Sequence, residues 1–460
     1  MKLRSLGAFL ACLSLSACLN VSPPPLPQEL PARWQQQPAE VGDVPPPVDL
    51  QGWWKSFNDP VLDDLVRAAM DQNLGLAQAQ SRLRQARLLA HESRVAYLPN
   101  VMAGAHSVDN PSGEKSYFQL TLNAVWDLGL FGMKDAAKLR SQGEIQRALA
   151  DVQAARVNVV AEIVRNYIEL RAAQAQIAST TTLSAVDDEL ANLTEVRIDA
   201  HLMARIGKEP VLKRQQQNKL ALAGQKLAEL RAAQAIAVLL GKTEPDPAWF
   251  QAASQPLAPD FKLTQLPADL LRTRPEIWRA EADVNAAAGE AGIARAHLYP
   301  HVALGTSYLL AYDLSTRQRS HFDFFPLIGP AIDIPVFDFG GRKASSDAAN
   351  EALQASVLAY RQALVETVGQ TEVALATLNY QCTVLNQAED DVGAFKDQAQ
   401  RQAALIKLGV SSPYERALFQ REQLQADATL IDARAAQAMA IVTLYKAIGG
   451  APLPEAKEAP

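Results

Sequence analysis

The chain is 460 residues long and mildly acidic, with 44 Lys and Arg against 50 Asp and Glu, a formal net charge of −6 and only 6% aromatic residues. Its charges are interspersed along stretches rich in Ala, Gln, Leu, Arg and Glu, which predicts a few very long helices and, with no basic stripe, excludes nucleic acid as an expected partner. No apolar run of about 18 residues follows the N-terminal segment, which excludes a transmembrane helix there and leaves strands or a lipid to make any membrane contact.

Lys2 and Arg4 precede an apolar stretch from Leu6 to Leu15, the layout of an export signal over residues 1–17. Leu15-Ser16-Ala17-Cys18 resembles a bacterial lipobox, and the resemblance implies cleavage before Cys18, acylation of that residue and a stable anchor in outer-membrane lipid. Leu19 is not the aspartate that retains lipoproteins in the inner membrane, so the resemblance points outward. With Cys12 in the signal and Cys18 acylated, Cys382 stands alone; no disulfide framework is available, and this cysteine is expected to be a small packed side chain. Prolines crowd the segment 18–57, recur in a linker over 242–266 and return in the tail 451–460, so irregular structure is expected at both ends and in the middle, gathered as a belt around a helical body.

Between those segments one unit is written twice, over 58–241 and 267–450. Leu98-Pro99-Asn100-Val101 corresponds to Tyr299-Pro300-His301-Val302, Ile206-Gly207 to Leu408-Gly409, and Arg231-Ala232-Ala233-Gln234-Ala235 recurs verbatim as Arg434-Ala435-Ala436-Gln437-Ala438. Leu130-Phe131-Gly132 corresponds to Asp338-Phe339 followed by Gly340 or Gly341. Each unit reads helix, strand, strand, long helix, glycine turn, helix. Strands are predicted at about 99–108 and 116–128, then at about 300–311 and 321–336. In the second of these, Phe118, Leu120, Leu122, Ala124 and Trp126 share one face and Gln119, Thr121 and Asn123 the other, a greasy face backed by a wet one as lipid requires. Pro326, Pro330 and Pro335 predict bulges or an early end to pairing in the last strand.

Ile145, Leu149, Val152, Val159, Ile163 and Leu170 recur at spacings of three and four, the pattern of a long coiled coil. A helix of about 70 residues spans on the order of 100 Å, which suits a tube or spacer rather than a globule. Gly207 with Pro210, and Gly409 with Pro413, mark the far ends where the chain reverses. Four strands cannot close a barrel alone, and open edges are not tolerated in hydrocarbon, so the chain must oligomerise. Two copies would give eight strands with a filled interior; three would give twelve and an aqueous lumen.

Further markers are Trp53-Trp54, Asp59-Pro60, Thr273-Arg274-Pro275-Glu276-Ile277, Val336-Phe337-Asp338 before Gly340-Gly341-Arg342, and Leu444-Tyr445-Lys446-Ala447-Ile448-Gly449-Gly450. With these residues the chain, from the lipobox to about Gly450, resembles the outer-membrane factor family of tripartite efflux pumps, the TolC type, in its NodT-like lipoprotein branch. The resemblance implies a mainly α fold with a membrane β-barrel: a homotrimer whose twelve strands cross the outer membrane above a long periplasmic α-barrel. It also implies a periplasmic adaptor and an inner-membrane transporter, of RND type, as partners, and passive conduction of solutes. The alternative is a periplasmic adaptor or spacer lipoprotein; two hairpin units and four lipid-type strands favour the duct. Near the tips Glu415 and Arg416 from one copy and Lys213 or Arg214 from its neighbour are expected to form ion pairs that hold the mouth shut or to dock the adaptor, while Leu418 stands where the family commonly has an aspartate.

Nothing in the sequence calls for a cofactor, a metal or catalysis. No phosphate-binding Gly-rich loop occurs, Gly289 to Gly292 read as helix packing, and Pro300 breaks the register that would align His297 with His301 as metal ligands. Asp187-Asp188-Glu189 and Glu389-Asp390-Asp391 read as solvated helix faces.

Overall fold

The computed structural model describes residues 22–26, 35, 50–108, 117–258, 273–313, 323–407 and 410–452. Cys18 and Gly409 lie outside the described residues. Seven helices follow in order among them: α1 Pro60–Gln72, α2 Leu74–Val95, α3 Met133–Asp199, α4 Lys208–Leu239, α5 Pro275–Ala296, α6 Gly341–Lys407 and α7 Pro413–Ala447. Strands β1 Asn100–Val108 and β2 Tyr117–Asp127 lie between α2 and α3, and β3 His301–Asp313 and β4 Asp323–Asp333 between α5 and α6. The helices α3 and α6 each have 67 residues, and α2 and α5 each have 22, so the duplication extends to element length. No described helix is long and apolar enough to cross a membrane.

The four strands form one antiparallel sheet in the order β1-β2-β3-β4, open at both edges. Leu120 lies opposite Leu310, Leu122 opposite Tyr308 and Trp126 opposite Leu304, so one face carries a largely apolar band, with Thr306 opposite Ala124 as its polar member. On the other face the Ser307 hydroxyl donates to Asn123 Oδ1 over 2.6 Å. Pairing of β3 with β4 is unbroken from His301 opposite Asp333 to Ala311 opposite Asp323, so the bulges expected at Pro326 and Pro330 are absent. The two prolines are four residues apart and so turn their missing donors to the same side of the strand. The strand ends before Pro335.

The strand-to-helix turns settle the alignment of the two units. Phe131 and Gly132 have φ of 56° and 80°, and Phe339 and Gly340 have 55° and 85°, so Gly340 is the counterpart of Gly132. A left-handed phenylalanine is sterically costly, and finding it at the same place twice marks a turn that both units require.

Helix α3 is the spine: it packs on α2, α4, α5 and α7, while α6 packs on α5 and α7. At the crossing of α3 with α5, a Cβ on Gly143 would lie 2.5 Å from the Ala286 nitrogen, and one on Gly289 would strike the backbone at Arg140. The two helices therefore touch backbone to backbone through glycines and alanines.

Midway along α3 the main core gathers both ends of the chain. Trp53 stacks on Tyr445 with centroids 4.5 Å apart and donates through Nε1 to the Gly450 carbonyl. The Thr273 hydroxyl donates to the Ile448 carbonyl, and Gly449, at φ 78°, lies so close that a Cβ would sit 2.8 Å from the Thr273 oxygen. The Thr-Arg-Pro-Glu-Ile and Leu-Tyr-Lys-Ala-Ile-Gly-Gly motifs, far apart in sequence, thus form one joint.

Asp59 ties the same belt to α3. Its Oδ1 caps α1 by accepting from the Val61 and Leu62 amides, and its Oδ2 accepts from the Tyr167 hydroxyl over 2.6 Å. Burial and that donated hydrogen bond push the Tyr167 phenol up to about 12. A phenol raised above its unfolded value of about 10 contributes stability that is complete below about pH 10 and is lost as pH rises toward the folded value. Tyr167→Phe is expected to cost about 1.5–3 kcal/mol, as for a hydrogen bond to a charged acceptor, and to abolish the alkaline step above pH 10, both read from melting curves.

Candidate functional site at the helix tips

At the far ends of the long helices the Leu202 amide returns to the Arg197 carbonyl as the Val410 amide returns to the Leu405 carbonyl, and the units differ in how the next helix begins. Helix α3 is closed by His201 in the left-handed region, φ 59°, with Leu202 and Met203 amides returning to the Arg197 carbonyl. Gly207 follows at the head of α4 with an ordinary φ of −63°, so its smallness serves packing: a Cβ would lie 2.7 Å from Met203 Sδ. On the other hairpin, Ser412 caps α7 before Pro413, and Glu415 completes the capping box by accepting from the Ser412 amide at 2.8 Å. Those hydrogen bonds hold the Glu415 carboxyl below its ordinary value. Its contribution to the cap is full above the ordinary carboxylate range and is lost as pH falls through the depressed value.

The centre of the tip network is Asp187, which the sequence presents as part of a solvated charge run and the structure shows at 0% exposure. Arg421 Nε of α7 donates to its Oδ1 at 2.9 Å, Arg214 Nε of α4 stands 3.6 Å from the same oxygen, and Asn218 Nδ2 of α4 donates to Oδ2 at 2.7 Å. One carboxylate on α3 therefore binds two neighbouring helices. Val186, Leu190 and Ala417 seal it from water, with Tyr414 and Leu418 packed around them. Leu418, the departure from the family pattern, is part of that seal.

A signal for Asp187 is present in the sequence. Val152, Val159, Asn166, Ala173, Thr180, Asp187 and Thr194 are spaced by sevens, and every one is buried. An aspartate on the seam of a heptad must find cations on the helices it faces, whatever the charge of its sequence neighbours.

Surface pairs flank this buried centre. Glu189 pairs with Arg416 at 2.8 Å, Glu195 with Lys208 at 2.7 Å, and Gln215 donates to Asp188 at 2.6 Å. The Arg197 guanidinium lies over the Tyr414 ring at 4.6 Å. Of the four expected tip residues, the structure brings Arg214 to Asp187, Arg416 to Glu189 and Glu415 to the α7 cap, all within one chain. Lys213 is exposed and makes no ion pair among the described residues.

In the Leu-Tyr-Pro bend His301 Nε2 lies 3.0 Å from Asp127 Oδ2, and no group of three or more His, Cys, Asp and Glu side chains placed to hold a metal occurs among the described residues. Cys382 is half-buried and accepts a long contact from Gln437 Nε2.

A family profile described as outer membrane efflux protein matches residues 65–241 and 266–450. The chain is similar to Nodulation protein T of Rhizobium leguminosarum bv. trifolii, 26% identical over 473 residues that cover 97% of each. It is also 26% identical to the pyoverdine export outer membrane protein OpmQ of Pseudomonas aeruginosa, over 98% of this chain and 97% of that one. Among solved structures, the outer-membrane channel OprN matches with a TM-score of 0.80 at 25% identity, covering 95% of this chain and 100% of that one.

Proposed function

We propose a function from the premise that the chain belongs to the outer membrane efflux protein family: it is the exit duct of a tripartite pump, spanning the outer membrane and extending into the periplasm. It is not an enzyme. Solutes handed over by an inner-membrane transporter through a periplasmic adaptor pass along the helical tube and out through the strands, and the transporter supplies the energy. The observation that carries this reading is a sheet with a lipid-type apolar band and two open edges, standing on helices of 67 residues. Open edges in hydrocarbon leave backbone groups unpaired at several kcal/mol each, so copies must close on one another. Three copies give twelve strands and an aqueous lumen, which makes a homotrimer the working unit. The transporter is of RND type in this reading. Purified protein in planar bilayers should form channels and elute from detergent as a trimer; a folded monomer that conducts nothing would overturn the proposal.

Cys18 is the lipid anchor. Cys18→Ala is expected to remove the acyl mass seen by mass spectrometry and to impair processing, while the barrel still assembles, because the strands hold the membrane independently of the lipid. At the mouth, where copies converge, Arg214, Glu415 and Arg416 are engaged within their own chain and fix the shape of each tip. Lys213 is the residue left to reach across.

A further inference from the structure

Near the joint where α7 ends and α5 begins, α6 and α7 border a groove of about 570 Å³. Val373, Ala374 and Ala447 give it apolar walls, and Gly369 leaves room in it, since a Cβ there would meet nothing within 4 Å. Arg274 and Lys446 supply its cations. Arg274 is 4% exposed, yet its guanidinium is only partly engaged. Nε donates to Glu276 Oε2 at 3.1 Å and Nη2 to Gln370 Oε1 at 2.9 Å, while Nη1 has no partner among the described residues. A buried donor left unpaired on a cation is costly, and the apolar walls beside this one suit an acceptor that carries hydrocarbon better than they suit water. The first unit has no such opening. Asn73 stands where Arg274 stands and engages both ends of its amide, donating to the Leu239 carbonyl and accepting from the Leu76 amide. A shift of 208 residues carries α3 onto α6, and the counterparts of Gln370, Val373 and Thr377 are then Glu162, Arg165 and Glu169, which pair with one another at 2.6 and 3.3 Å.

The groove opens away from the belt. Tyr167 and Arg171 of α3 are bound to Asp59 and to the Gln251 carbonyl of the belt, and at about 100° per residue Glu162, Arg165 and Glu169 lie on the opposite side of that helix. Their counterparts on α6 line the groove, and Lys446 Nζ stands 3.7 Å from Glu162 Oε1. With the belt around the outside of the tube, this side is the lumen wall. We propose that the groove is a cargo site on that wall, taking an organic carboxylate with an apolar body. The proposal rests on the exit-duct reading and names a class of solute for it. Arg274 Nη1 and Lys446 Nζ are donors without acceptor capacity, which selects the carboxylate, and Val373, Ala374 and Ala447 select hydrocarbon. Such a site must bind weakly, because a conducted solute has to leave it again.

The test is a saturation-transfer NMR titration of the full-length protein in detergent with 4-phenylbutyrate, and with 4-phenylbutyramide as its uncharged counterpart. The carboxylate should bind with a Kd of about 1 mM and the amide at least about tenfold more weakly. Two substitutions alter the groove without disturbing packed atoms. Val373→Glu, at a position 67% exposed, puts a carboxylate into it, and Gly369→Leu fills it. Each should weaken binding of 4-phenylbutyrate at least about tenfold. Equal binding of carboxylate and amide, binding that survives both substitutions, or no saturation transfer to the carboxylate at all overturns the site. In planar bilayers 4-phenylbutyrate should interrupt the current through the parent channel and leave that of Gly369→Leu steady at the same concentration. Binding without interruption overturns the placement on the lumen wall. Protein that forms no channels overturns the exit-duct reading, while the titration still decides whether the groove binds a carboxylate.

Discussion

Gly289→Leu is expected to leave no assembled channel in the outer membrane. The position meets α3 backbone to backbone, so the obstruction begins with the Cβ and no rotamer relieves it. The neighbouring atoms at Arg140 and Ala136 belong to the spine helix, which is itself wedged between α2, α4, α5 and α7 and cannot retreat without opening other contacts. Overpacking of a tight core costs about 1–3 kcal/mol, and a clash with backbone belongs at or beyond the upper end. Gly143→Val should behave alike, since its added Cβ meets Ala282 and Ala286 from the other side. Gly393→Ala is the control. Nothing stands within 4 Å of the added methyl on α6, and replacing a helical glycine there should stabilise by about 0.5–1 kcal/mol. Immunoblots of outer-membrane fractions run without heating distinguish these outcomes directly.

Asp187→Leu is expected to be the most damaging single change at the tips. It strands Arg421 and Arg214 beside a sealed apolar cluster, and removing one partner of a buried ion pair costs about 3–5 kcal/mol. Because Asp187 joins α3 to arginines from both α4 and α7, the loss should loosen the tip before it unfolds the body, giving raised single-channel conductance together with a lower melting temperature. Adding Arg421→Met and Arg214→Met should recover much of the stability, because an apolar replacement of all three charged partners removes the uncompensated charge. If Asp187→Leu melts and conducts like the parent, Asp187 is not the centre of the tip. Glu189→Leu, which breaks an exposed pair, should shift stability by no more than about 1 kcal/mol.

The contrast between those two acids shows where the sequence stopped being legible. Period and punctuation revealed the duplication, the four strands and the places where helices break, because each leaves a mark in residue type: alternation, heptads, a glycine or a proline. Asp187 leaves such a mark too, but a run of acids reads as solvated when it is judged by its neighbours rather than by its place among residues seven apart. His201, Phe131 and Phe339 leave none, since a left-handed backbone at a residue with a side chain is imposed by surrounding structure rather than by local preference. Prolines misled in the opposite direction. Pro326 and Pro330 suggested a broken ladder, yet the pairing of β3 with β4 runs through both positions without a break.

The duplication has a kinetic meaning. In a ring of three copies each chain arrives with its two units already joined, so the covalent link forms half of the seams without any encounter between molecules, at the high effective concentration that a short tether provides. A ring built from single units would have to gather every member by diffusion in a crowded membrane. Linkage also releases the two kinds of seam from having to match. The inner one uses Arg147 with Asp283 and Arg279 with Asp151, contacts that form once and stay, while the corresponding positions on the outer face of α6 are Ala355 and Ala359, plain surfaces that can be tried, left and tried again until the ring closes.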